Sequence, residues 1–301
     1  MKKKVYYIAI VLTGLSLTLS GCQEDELSKT SVIVNQTDLV KQNAFDQWLN
    51  ANYVEPYNIL FKYRYEDKES DANYFTVPAK FEDAIIMAKL IKYLCIEAYN
   101  EVAGPMFTKT YFPKMIYCIG EWEYRNNSTI LLGTAESGKK ILMTGANKIK
   151  RYLNNPESIN EFYLKTIHHE FTHILNQTKD YSAAFKLITP TLYVADSWSV
   201  SPYSDNGYCL THGFITAYAQ HSDTEDFAEM LSTYVTTSKA KWEEQMNKAG
   251  AEGARLIEAK LDNVRSYLKK SFNIDIDELR DAVQRRQQDL VEGKVNVTDF
   301  S

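Results

Sequence analysis

The chain has 301 residues, 45% of them hydrophobic and 24% charged, and its 34 Lys and Arg against 39 Asp and Glu give a net charge of −5. That balance carries no electrostatic footprint for nucleic acid, so no nucleic-acid partner is expected. The composition is that of an ordinary globular protein, and 21 Tyr and 13 Phe are enough for one sizeable core, or two sharing a boundary.

The chain opens "MKKKVYYIAIVLTGLSLTLSGC". A basic start, an apolar run of about a dozen residues and a small-residue cleavage site predict a secretory signal, since the run is too short to span a membrane. "LSGC" at 19–22 resembles the bacterial lipobox, which implies that residues 1–21 are removed and that Cys22 carries acyl chains. The protein would then be anchored to a membrane without crossing it. Residues 22–37 read as a polar tether. Their "EDE" resembles the surface-export signal of lipoproteins from Bacteroidetes-type bacteria, implying an outer-membrane lipoprotein at the cell surface, with periplasmic display as the alternative. Cys95, Cys118 and Cys209 sit in apolar surroundings, and no C-x-x-C occurs. They read as small buried hydrophobes, with no disulfide framework or structural zinc site implied.

From Thr37 the sequence predicts a helix ending before Pro56, then a half-buried strand in "NILFKYRYED" with Ile59, Phe61, Tyr63 and Tyr65 on one face. A long helix follows over 78–102, apolar around much of its circumference and so expected to pack on two sides. Strands are predicted at 114–121, 128–136 and 139–145. "GTAESGKK" at 133–140 matches G-x-x-x-x-G-K, yet Lys140 stands where a phosphate loop needs Ser or Thr, and the following residues are strand-like. This stretch reads as a hairpin. A helix then covers "PESINEFYLKTIHHEFTHILNQT", a turn-rich aromatic segment runs from 179 to 221, and helices fill the remainder. Strands gathered in the middle with helices before and after predict an α+β fold with a C-terminal helical extension over about 240–301.

Within "TIHHEFTHILNQ", His169, Glu170 and His173 form H-E-x-x-H. Residues four apart share a helix face, so two imidazoles can hold one metal ion while the glutamate stands beside its water. Ile159, Tyr163, Ile167, Phe171 and Ile174 make an apolar stripe on roughly the opposite side. His168 has no partner at position 172 and reads as packing or a surface contact.

Catalytic zinc usually takes three protein ligands and leaves one position for water. A metzincin would have Gly at 176 and His at 179, where this chain has Asn176 and Lys179. Two candidates for the third ligand remain. Asp180 could return to the metal through a short turn. In "HSDTEDFAEM", Glu225 and Glu229 lie four apart on one helix face; the first could bind zinc while the second accepts a hydrogen bond from a ligand histidine. "SDTE" is also a capping box, in which Glu225 would only cap its own helix.

H-E-x-x-H followed by an E-x-x-A-E-type helix resembles the gluzincin metallopeptidases, and "AYAQHSDTEDFAEML" is similar to their anthrax lethal-factor type. The resemblance implies Zn2+ held by His169, His173 and Glu225, with Glu229 behind a ligand histidine, Glu170 as base and Tyr218 stabilising the oxyanion. More of the chain resembles the zinc-binding metallopeptidase lipoproteins of Bacteroidetes, through "FDQWLNANYVEPYNILFKYRY", "GTAESGKKILMTGAN", "HHEFTHIL" and "EDFAEMLSTYV". That family implies a zincin-like domain over 38–301, a peptide or protein substrate and association with a TonB-dependent import complex. The alternative expectation is an accessory lipoprotein of such a complex that holds zinc without turnover.

Overall fold

The computed structural model describes residues 42–69, 71, 73–125, 129–136 and 138–299, so the expected signal segment, Cys22 and the tether lie outside the described residues. Helix α1 (44–57) contains a π turn, Asn50–Val54, and runs through Pro56, where the sequence predicts a stop. The wider i→i+5 turn closes with the Glu55 N–H on the Asn50 carbonyl, and Pro56 follows directly after it, one residue before the helix ends at Tyr57. After left-handed Asn58 comes strand β1 (Leu60–Lys62), shorter than the alternating pattern predicts. Helix α2 (81–103) carries a second π turn at Lys92–Ile96 and is buried over most of its girth, as its apolar circumference predicts. Gly104, at positive φ, turns the chain into α3 (Pro105–Tyr111).

Strands β2 (Met115–Cys118), β3 (Glu123–Tyr124), β4 (Ile130–Leu131), β5 (Gly133–Glu136) and β6 (Lys140–Met143) follow. They form a four-stranded sheet of order β1-β2-β6-β5 and a separate β3-β4 pair. The first three strands of the larger sheet are parallel, and β5 is antiparallel to β6 at its edge, with Gly133 opposite Met143 and Ala135 opposite Ile141. The G-x-x-x-x-G-K match is therefore the β5–β6 hairpin, and its Gly138 takes the positive φ that the turn requires.

Helix α4 (156–178) begins with Pro156 at N1 and the Asn155 side chain accepting from the Ser158 N–H. Its π turn, Asn160–Leu164, puts Asn160 where it donates to the Thr236 carbonyl (2.8 Å) and accepts from Gln287 (2.5 Å). The expected stripe Ile159, Tyr163, Ile167, Phe171 and Ile174 is buried, each side chain contributing about 1.5–3 kcal/mol. Short helices α5 (Ala183–Lys186) and α6 (Asn206–Thr211) punctuate the turn-rich segment. Helices α7 (Asp223–Thr236), α8 (Lys239–Phe272, kinked at Gly250) and α9 (Ile276–Val291) complete the chain.

The fold is α+β, with a small mixed sheet and many helices. Helix α4 lies against β5 and β6 on one side and α7 on the other, and α9 packs on both α2 and α7. The C-terminal helices thereby share the main core, to which Ile257, Leu261, Val264, Leu279 and Val283 contribute. Cys95, Cys118 and Cys209 are buried free thiols, and no helix among the described residues is long and apolar enough to cross a membrane.

Candidate metal centre

Two helices face each other to make the site. Helix α4 turns its apolar stripe to the core and presents His169 and His173 to α7. Ser222 caps α7 by accepting from the Glu225 N–H at 3.3 Å, so one half of the capping box forms. The Glu225 carboxylate does not complete the box; it reaches across to the two histidines.

His169 Nε2 and His173 Nε2 are 3.0 Å apart, and Glu225 Oε2 is 3.0 Å from the first and 3.2 Å from the second. Among the described residues these three bring one ligand atom each within 4.8 Å of one another, as a metal site requires. A tetrahedral zinc with bonds of about 2.0–2.1 Å sets its ligand atoms about 3.3–3.4 Å apart. The observed triangle is only slightly tighter, and two imidazole nitrogens with one carboxylate are a zinc donor set. The residues fit the ion.

Behind this triangle lies a second layer of charge. Glu229 Oε1 is 2.9 Å from His169 Nδ1, an ion-pair contact rather than a well-aligned hydrogen bond. Its other oxygen meets Lys165 Nζ at 2.8 Å and accepts from Thr216 Oγ1 at 2.5 Å. Burial opposes charge on the His169 imidazole, but Glu225 and Glu229 outweigh it and raise its pKa to about 10. Burial would likewise raise both carboxylates. The two histidines hold Glu225 far below the usual carboxylate range, and Lys165 with His169 does the same for Glu229.

Glu170 is buried at the foot of the site, where burial pushes its carboxyl up against the lowering effect of the two histidines and of the Ala135 backbone N–H. Edge strand β5 comes this close because Gly133 has no side chain. A Cβ there would stand 2.7 Å from both the Leu142 carbonyl and the Thr166 methyl, and 3.7 Å from Glu170 Cγ. Tyr218 closes another side: its ring centroid is 5.9 Å from that of His169 and 4.9 Å from that of Trp198. Burial, followed by the Glu225 charge, raises its phenol pKa, while Arg125 acts in the opposite direction.

Sequence reasoning therefore finds five residues that the structure brings together: His169, Glu170, His173, Tyr218 and Glu225, with Glu229 one layer behind. Asp180 is not in the cluster; it lines a cavity beside it. His168 is fully buried, its Nδ1 3.2 Å from the Tyr99 hydroxyl, and burial drops its pKa to about 3, so it is a neutral packing group. Lys165, Thr216 and Gly133 were not legible as site residues. Lys165 alone left a trace, standing four positions before His169 on the same helix face.

Residues 38–277 match the protein family described as "Putative zinc-binding metallo-peptidase". The fold is similar to a crystal structure of a "putative zinc-binding metallo-peptidase" from Bacteroides caccae, with a TM-score of 0.72 and 36% sequence identity over 85% of this chain and 95% of that one. No curated protein matches the sequence. Family match and structural likeness agree with the geometry of the α4–α7 cluster, and the chain belongs to this family of zinc-binding metallopeptidases.

Proposed function

We propose that the protein is a zinc-dependent peptidase of the cell envelope, with His169, His173 and Glu225 as ligands, Glu170 as general base and Tyr218 as oxyanion donor. The observation that carries this reading is the triangle of His169, His173 and Glu225 atoms with a buried carboxylate, Glu170, on the same helix. A site that held zinc only for structure has no need of Glu170.

Bound zinc supplies a positive charge that brings the pKa of a water molecule toward neutrality and polarises a carbonyl. Glu170 takes the proton of the attacking water and passes it to the leaving amine. The Ala135 backbone N–H and the two histidines favour the ionised form of Glu170 against its burial. Tyr218, kept protonated by burial and the Glu225 charge, donates to the developing oxyanion. Glu229, held by Lys165 and Thr216, keeps the His169 proton on Nδ1 and leaves the Nε2 lone pair for the metal. Strand β5 forms the sheet edge beside Glu170, and an extended peptide adds to that edge by main-chain hydrogen bonds.

The N-terminal sequence extends the proposal to a lipid anchor on Cys22 and display on the outer membrane, at the cell surface, in company with a TonB-dependent import complex. Support for this is the lipobox-like "LSGC" and the acidic "EDE".

Hydrolysis of a peptide library by wild type and Glu170→Gln, each at measured zinc content, tests the reading. Zinc-dependent cleavage lost in Glu170→Gln with zinc retained is the expected result. Stoichiometric zinc with no cleavage by either protein would favour the accessory, non-catalytic role.

A further inference from the structure

We propose that the cavity beside the metal centre is a specificity subsite for a lysine or arginine side chain of the substrate, with Asp180 as its counter-charge. This rests on the peptidase reading above and names the substrate class of that site.

The cavity has a volume of about 640 Å3, and its lining includes Ala135 of the edge strand, His173, Glu225, Asn176, Asp180 and Lys186. It opens on two of the proposed ligands and on the strand along which a peptide would lie. A peptide with its scissile carbonyl at the cluster therefore directs a neighbouring side chain into it. The volume lies within the range of about 300–1,000 Å3 typical of ligand sites, enough for a long side chain.

Charge selects the kind of side chain. Lys186 is already engaged, with its Nζ 2.9 Å from Asp223. Asp180 is exposed and has no ion-pair partner among the described residues. Its neighbour Lys179 is turned away, its ammonium 4.8 Å from the Phe272 ring centroid and donating to the Ser271 carbonyl. The lining thus includes a carboxylate without an ion-pair partner, Asp180, and the small apolar side chains of Ala135 and Ala183, against which a methylene stem can lie. An anionic side chain is repelled by Asp180.

The test uses the zinc-loaded mature chain and a random peptide library with acetylated N-termini, which removes the α-amino group as an alternative cation. Cleavage sites should be enriched in Lys or Arg at one position flanking the scissile bond. Asp180→Asn should lower the ratio of lysine to glutamine cleavage at that position roughly tenfold, and Asp180→Lys should invert it toward glutamate. Unchanged zinc content and Tm certify the fold of each variant. Library peptides retained by zinc-loaded Glu170→Gln report the same preference without turnover. Cleavage with no basic preference, or with one that survives both Asp180 substitutions or needs a free N-terminus, overturns the subsite and leaves the peptidase reading intact. Lysine-selective binding with no cleavage by wild type overturns the peptidase reading and keeps the subsite. Neither binding preference nor cleavage overturns both.

Discussion

Glu229 Oε1 stands 2.9 Å from Nδ1 of His169, the ring nitrogen opposite the one that faces His173 and Glu225. A carboxylate at Nδ1 draws the imidazole proton to that side and aims the other nitrogen's lone pair at the cluster. Lys165 and Thr216 fix the carboxylate in turn, so the orientation of this proposed ligand is set by residues from α4, α7 and the loop before α7.

Glu229→Gln should accordingly weaken zinc binding by about 10–100-fold without removing a ligand. Competition with a chromophoric chelator reads this directly. An unchanged affinity would mean that His169 is oriented by packing alone.

If Tyr218 is the oxyanion donor proposed above, Tyr218→Phe should lower kcat by about 10²–10³-fold, with zinc content unchanged and KM altered far less, because such a donor acts only as charge develops. Burial and the Glu225 charge raise its pKa, so its O–H persists through the alkaline range. Equal losses in wild type and variant as pH rises would agree with this; a tyrosine-dependent alkaline limb near neutrality would not.

In the metal-free protein His169 has a pKa raised from 6.5 to about 10, so zinc must displace its proton at neutral pH. Calorimetry in buffers of different ionisation enthalpy should show about one proton released per zinc near pH 7, and apparent affinity should fall about tenfold for each unit of pH below this raised pKa. The sign for stability follows from the same shift. The stabilisation that His169 draws from Glu225 and Glu229 is complete below its ordinary 6.5 and is lost as pH rises through about 10. Thermal unfolding of the metal-free protein should therefore move to lower temperature across that window.

Lys260 and Asp226 form an ion pair at 2.6 Å with both side chains fully buried, beside the proposed ligand Glu225. Burial pushes the Asp226 carboxyl up to about 6 and the Lys260 ammonium down, against their mutual attraction. Lys260 also donates to the Gly213 carbonyl, and Asp226 accepts from Tyr193. Lys260→Met leaves a buried carboxylate without its counter-charge and should cost about 3–5 kcal/mol, read by denaturant unfolding. The double substitution Lys260→Met with Asp226→Leu should recover much of that loss. Additive losses would show that the pair is not coupled.

Periodicity made much of this architecture legible. The stripe on α4 named its buried face and, by subtraction, the face carrying His169 and His173. Spacing of four placed Glu225 and Glu229 on one side of α7, although it could not decide between ligand and cap. The answer came from tertiary approach: the helix that Ser222 caps lies directly across from α4. Three π turns stayed hidden, because no residue type marks the extra residue that each contains; the one in α4 includes Asn160, which bonds to α7. Gly133 belonged to a false phosphate motif, and only the approach of Thr166 and Glu170 to β5 reveals why a side chain is excluded there. Asp180 was weighed as a ligand for its nearness in sequence; the turn after α4 instead sets it on the wall of the adjoining cavity.

The most direct test of the metal centre is an anomalous difference map at the zinc edge from crystals of the zinc-loaded mature chain. One peak is expected about 2.0–2.2 Å from His169 Nε2, His173 Nε2 and a Glu225 oxygen, with no fourth protein ligand. A peak bound by Asp180, a position closed by a fourth side chain, or no peak between α4 and α7 would contradict it.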